Sequence, residues 1–122
     1  MQHHNEGLNE RRSSVRIKTV VRIYYSAFQS KLLSDYSVDL STGGLFLITN
    51  YPFDVDDNLT LKFPIPGPEE KTVSCRAKIA WVNNETNRRK PEYPQGVGLQ
   101  FVDLAPEDLI SIERFLEVES TS

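Results

Sequence analysis

Thr72-Val73-Ser74-Cys75-Arg76-Ala77-Lys78-Ile79-Ala80-Trp81 alternates without a break. Val73, Cys75, Ala77, Ile79 and Trp81 form one series, and Thr72, Ser74, Arg76, Lys78 and Ala80 the other. A period of two belongs to a strand with one face on a core and one toward water. The same pattern recurs on both sides of this stretch. Upstream, Val15–Tyr25 sets Ile17, Thr19, Val21, Ile23 and Tyr25 against Lys18, Val20, Arg22 and Tyr24, and Asp35–Ser41, Leu45–Asn50 and Leu59–Phe63 follow. Pro64, Pro66, Gly67 and Pro68 stop the fourth of these runs. Downstream, Gly96–Val102 points Val97, Leu99 and Phe101 inward. No crossover helix interrupts the series, as parallel pairing would require, so the strands are antiparallel. The chain ends differently: Pro106, Glu107 and Asp108 open a helix, and Leu109, Ile112, Phe115 and Leu116 recur at helical spacing up to residue 118. The fold class is therefore all-β with one C-terminal helix, a six-stranded antiparallel split β-barrel capped by that helix.

At 122 residues the chain has the length of one domain. Residues 1–10 are polar and aperiodic and read as a flexible N-terminal arm, 11–118 as the barrel domain, and 119–122 as a disordered tail. Lys and Arg number 14 against 17 Asp and Glu, a net charge of −3, which argues against a binder of nucleic-acid polymers. The distribution matters more than the sum. Arg11, Arg12, Arg16, Lys18 and Arg22 crowd the first quarter and carboxylates crowd the end, an asymmetry that suits a small anionic ligand. Cys75 is the only cysteine and falls in an apolar series, as a buried structural thiol does. His3 and His4 have no further ligands to complete a metal set. Without a secretory apolar segment or a run long enough to span a bilayer, the expected location is cytoplasmic, with no membrane span.

Two polar clusters carry chemistry. Arg12-Ser13-Ser14-Val15-Arg16 places two guanidinium forks where the arm meets the first strand, roughly 13 Å apart if extended. Asp39-Leu40-Ser41-Thr42-Gly43-Gly44 turns between two strands. There Asp39 and Ser41 share the polar face, and the paired glycines permit positive φ or close approach of an anion to backbone N–H groups. Taken alone, the first cluster reads as a solvated charge run and the second as a turn bonding to itself. The loop Asn83–Gln95, with Arg88-Arg89-Lys90 and two prolines, is long for a compact domain and is a candidate for function or mobility. An enzyme finds little support: no histidine lies outside the arm, no lysine adjoins Ser41, and no carboxylate–histidine set has metal spacing.

Together, Arg12-x-x-x-Arg16 and Asp39-x-Ser41-x-x-Gly44 resemble the two signature motifs of the PilZ domain family, and Ala80-Trp-Val and Gly96-Val-Gly-Leu-Gln-Phe look like its closing strands. The likeness spans about residues 10–117 and is similar to stand-alone, single-domain members of this bacterial family. It implies a non-enzymatic receptor for the second messenger cyclic di-GMP, with no cofactor. On that likeness Arg11, Arg12 and Arg16 grip phosphate and guanine edges, and Asp39, Ser41, Gly43 and Gly44 line a guanine pocket. Trp81 is a possible stacking contact, although its place beside Val73, Cys75 and Ile79 favours core packing. Ligand binding is expected to order the arginine arm and to signal to a protein partner in motility, pilus or exopolysaccharide control. The alternative is a PilZ-fold interaction adaptor that binds no nucleotide. The expected state is a monomer or weak homodimer.

Overall fold

The computed structural model describes residues 16–27, 31–67 and 70–121. Arg11, Arg12 and the arm at 1–10 lie outside the described residues. The elements are β1 (Arg16–Lys18), β2 (Arg22–Ala27), β3 (Leu33–Ser41), β4 (Gly44–Ile48), β5 (Asn58–Ile65), β6 (Lys71–Asn83), β7 (Gly96–Phe101) and α1 (Pro106–Thr121). The sheet runs β3-β2-β5-β6-β7-β4, and β4 pairs back with β3. Six strands thus close an antiparallel barrel, and β1 is laid on the C-terminal half of β3.

The run read as one strand from Val15 to Tyr25 is two pieces of one ribbon. Lys18 pairs with Asp39, but Arg22 pairs with Tyr36, so β1–β2 carries one residue more than the β3 segment it faces. Ser37 makes this bulge possible. Its Oγ accepts the Val21 N–H at 3.0 Å and donates to the Thr19 carbonyl at 2.9 Å, replacing ladder bonds the extra residue displaces. Strand β5 also departs from expectation, running through Pro64 to Ile65. Its pairing with β2 ends at Lys62, so Pro64 stands where β5 has only β6 beside it and no second ladder requires its missing N–H.

Inside the barrel, Ile23, Leu47, Leu61, Phe63, Val73, Ala77 and Ile79 are fully buried, as alternation predicts. Helix α1 lies against β1, β3 and β5 and adds Ile112, Phe115 and Leu116 to the same core. It continues to Thr121, beyond residue 118, because no Gly or Pro follows Pro106 to break it and the Ser120 hydroxyl donates to the Glu117 carbonyl. Burial pushes the Cys75 thiol up to about 12, consistent with a structural role. Among the described residues no helix is long and apolar enough to cross a membrane.

Candidate functional site

The two sequence clusters meet on the outer face of the barrel. Pairing Arg16 with Ser41 and Lys18 with Asp39 lays β1 along the edge of the Asp39–Ser41 end of β3, and the Arg16 guanidinium donates to Asp39 Oδ1 at 2.8 Å. The two side chains differ in exposure, 42% for Arg16 and 2% for Asp39, so the carboxylate is interior and the guanidinium spans from it to solvent.

Asp39 is held from three sides. Besides Arg16, the Phe46 N–H donates to Oδ1 at 2.9 Å and the Tyr93 hydroxyl to Oδ2 at 2.8 Å. The bulge at Val38 allows this: Ser37 pairs with Leu47 but Asp39 with Phe46, leaving the carboxylate beside a backbone N–H of the neighbouring strand. An ionised acceptor meeting three donors satisfies the requirement for burying a charge. Asp39 is therefore a junction that joins β1, β4 and the loop after β6. Tyr93 holds its proton: burial, reinforced by the bond to Asp39, pushes its phenol up to about 12. Tyr25 is raised to about 12 by burial and by Asp35, to which its hydroxyl donates at 2.6 Å. Above about pH 10 the unfolded tyrosines lose protons that the folded ones keep, so stability falls as pH rises from about 10 to 12. Urea midpoints across that range are expected to decline, with a shallower decline in Tyr93→Phe.

Ser41 and the glycines shape the turn. Gly43 and Gly44 each donate an N–H to Ser41 Oγ at 3.2 Å, and that hydroxyl lies 3.2 Å from the Gly44 carbonyl. Of the two roles open to these glycines, positive φ is taken by neither; among the described glycines only Gly67 has it. Gly44 is required for another reason. A Cβ there would lie 1.8 Å from the Leu99 carbonyl oxygen, across the β4–β7 seam, whereas one at Gly43 would meet only Ser41 Oγ at 3.9 Å.

Trp81 does not enter the core. Ile79 pairs with Leu99 but Trp81 with Gly98, and the extra residue at Ala80 turns the indole to the outer face. It lies against Gly98, where a Cβ would stand 1.9 Å from Nε1, and beside Phe46, with ring centroids 5.2 Å apart. Alternation misled here because a bulge reverses the faces of all that follows it.

Tyr93 and Phe46 carried no signal in the sequence, whereas Lys18 was legible only as part of a basic segment and Arg89 and Lys90 only as part of a loop that is a candidate for function. Asn83, buried at the end of β6, folds the loop back: its Nδ2 donates to the carbonyls of Lys90 and Pro94, both at 3.0 Å, and its Oδ1 accepts the Lys90 N–H at 2.8 Å. Between this loop and the β3–β4 turn lies a cleft of about 440 Å³, lined by Arg16, Asp39, Ser41, Phe46, Trp81 and Lys90 among others. That volume falls within the roughly 300–1,000 Å³ usual for small-molecule sites.

A sequence model described as PilZ domain matches residues 10–118. The fold is similar to that of the Bacillus subtilis inhibitor of motility, MotI/DgrA, with a TM-score of 0.74 and 15% identity over 88% of this chain and 50% of that one. It is also similar to the PilZ domain of YcgR from Escherichia coli, solved with c-di-GMP, with a TM-score of 0.62 and 16% identity over 87% of this chain and 91% of that one. For the PilZ domain of CeSA from a cellulose-synthesizing bacterium the TM-score is 0.58, with 17% identity over 88% and 99% of the two chains. This chain spans half the length of the motility inhibitor. No curated protein matches it in sequence. With a six-stranded barrel, a C-terminal helix and both signature motifs within the matched residues, the chain belongs to the PilZ domain family.

Proposed function

We propose that this chain is a cyclic di-GMP receptor and effector module whose binding face is the cleft beside Arg16 and Asp39. The observation that carries the reading is the 2.8 Å bond that joins the arginine motif to the Asp-x-Ser motif on one barrel face. A doubly charged dinucleotide needs cationic forks for its phosphates and guanine edges, and a half-exposed guanidinium fixed at its base by a buried carboxylate is preorganised for that task. In this reading Asp39 acts chiefly by aiming Arg16, since its own oxygens already accept three donors. Ser41, Gly43 and Gly44 shape the pocket edge, Trp81 offers an aromatic surface, and Arg11 and Arg12 complete the grip. Binding fixes the arginine segment against the barrel, and a protein partner reads that surface.

Arg16→Ala is expected to weaken cyclic di-GMP binding by roughly tenfold to a hundredfold, the value of one or two charge-assisted bonds, while the chain still folds. Calorimetric titration checks it, and unchanged affinity would refute the assignment. The second reading, an adaptor that binds no nucleotide, is favoured by the way Arg16, Phe46 and Tyr93, all of this chain, occupy the acceptor oxygens of Asp39. Amide shifts on titration distinguish the two.

A further inference from the structure

The loop between β6 and β7 supplies a second cationic wall to this cleft, and we infer that Arg89 and Lys90 bind the phosphates of the ligand opposite Arg16, with Tyr93 as the residue that positions them. The inference rests on the receptor reading and extends it to residues outside both motifs.

Arg89 stands over the Trp81 ring at 5.3 Å, and Lys90 lies over Trp81 at 5.8 Å and over Tyr93 at 4.9 Å. Lys18 covers Tyr93 at 4.9 Å from the β1 side. None of these three cations forms an ion pair among the described residues, whereas Arg16, Lys71, Arg76 and Lys78 each have a carboxylate partner. Glu92, two residues from Lys90, is the acidic loop side chain whose charge acts on Tyr93. In a chain of net charge −3, a cleft lined by Arg89 and Lys90, neither in an ion pair among the described residues, presents positive potential that an anion relieves. Aromatic faces hold the cations in place weakly enough to yield to a phosphate.

The loop is built to hold this position. Asn83 pins its Lys90 and Pro94 ends, Arg88 donates to the Tyr93 carbonyl at 2.9 Å, and the Tyr93 hydroxyl bolts it to Asp39. Asp39 thereby fixes both walls, Arg16 directly and Arg89–Lys90 through Tyr93.

The test is calorimetric titration of the full chain with cyclic di-GMP, comparing wild type, Arg89→Gln/Lys90→Gln, Tyr93→Phe and the triple variant. Glutamine keeps the side-chain stems, and phenylalanine keeps the ring. The double variant is expected to bind roughly tenfold to a hundredfold more weakly with a smaller salt dependence, and Arg89→Lys/Lys90→Arg to restore most of the affinity. Tyr93→Phe is expected to weaken binding in wild type and to add little in the double variant. Wild-type affinity in the double variant overturns the second wall and leaves the receptor reading standing. Equal losses from Tyr93→Phe in both backgrounds overturn its positioning role. A wild type that does not bind overturns both this inference and the receptor reading.

Discussion

Replacing Asp39 by alanine is expected to damage stability and ligand binding together. The carboxylate is buried and accepts from Arg16, the Phe46 N–H and the Tyr93 hydroxyl. Its removal leaves a backbone donor and a phenol without partners in the interior, at roughly 1–3 kcal/mol for each unsatisfied group. The expected loss is about 2–4 kcal/mol, read as a melting temperature lower by roughly 10 °C or more. Asp39→Asn separates the two roles. Its amide oxygen still accepts the Phe46 N–H and the Tyr93 hydroxyl can reorient, so most of the stability returns. The charge that aims Arg16 does not return, and cyclic di-GMP affinity remains low. A melting temperature of Asp39→Ala within error of wild type would show that this junction does not hold the barrel face together.

Gly44→Ala is expected to be the most destabilising single-methyl change in the turn. The added carbon would stand 1.8 Å from the Leu99 carbonyl oxygen, which belongs to the backbone of β7 and cannot rotate away. Relief requires β4 and β7 to separate where Gly44 pairs with Gln100, which opens the barrel seam. Overpacking costs about 1–3 kcal/mol, and contact with rigid backbone puts this case at the upper end of that range. Gly43→Ala, one residue away, meets only Ser41 Oγ at 3.9 Å and is expected to change stability by less than about 0.5 kcal/mol. Thermal melts of the two variants check this contrast. Equal stability would mean that the glycine pair serves something other than strand approach.

What was legible in the sequence followed from side-chain period. Val73, Cys75, Ala77 and Ile79 announced β6, and Ile112, Phe115 and Leu116 announced the helix, because burial imposes those spacings directly. The meeting of Arg16 with Asp39 was legible only through family resemblance, since no local pattern encodes a cross-strand register. Three bulges, at Thr19–Val21, Val38 and Ala80, were not legible. Each inserts one residue without altering local composition, and their consequences include the outward turn of Trp81 and the three-sided hold on Asp39. Tyr93 was hidden for a related reason. It lies 54 residues from Asp39 in a loop with no period, and only the fold brings its hydroxyl to the carboxylate.

The most direct test of the receptor assignment is titration of the full wild-type chain with cyclic di-GMP, followed by heat and by backbone amide shifts. Saturable heat is expected, with shifts concentrated at Arg16, the 39–44 turn, Trp81 and the loop carrying Arg89 and Lys90. Absence of both heat and shifts at high micromolar ligand would contradict the assignment.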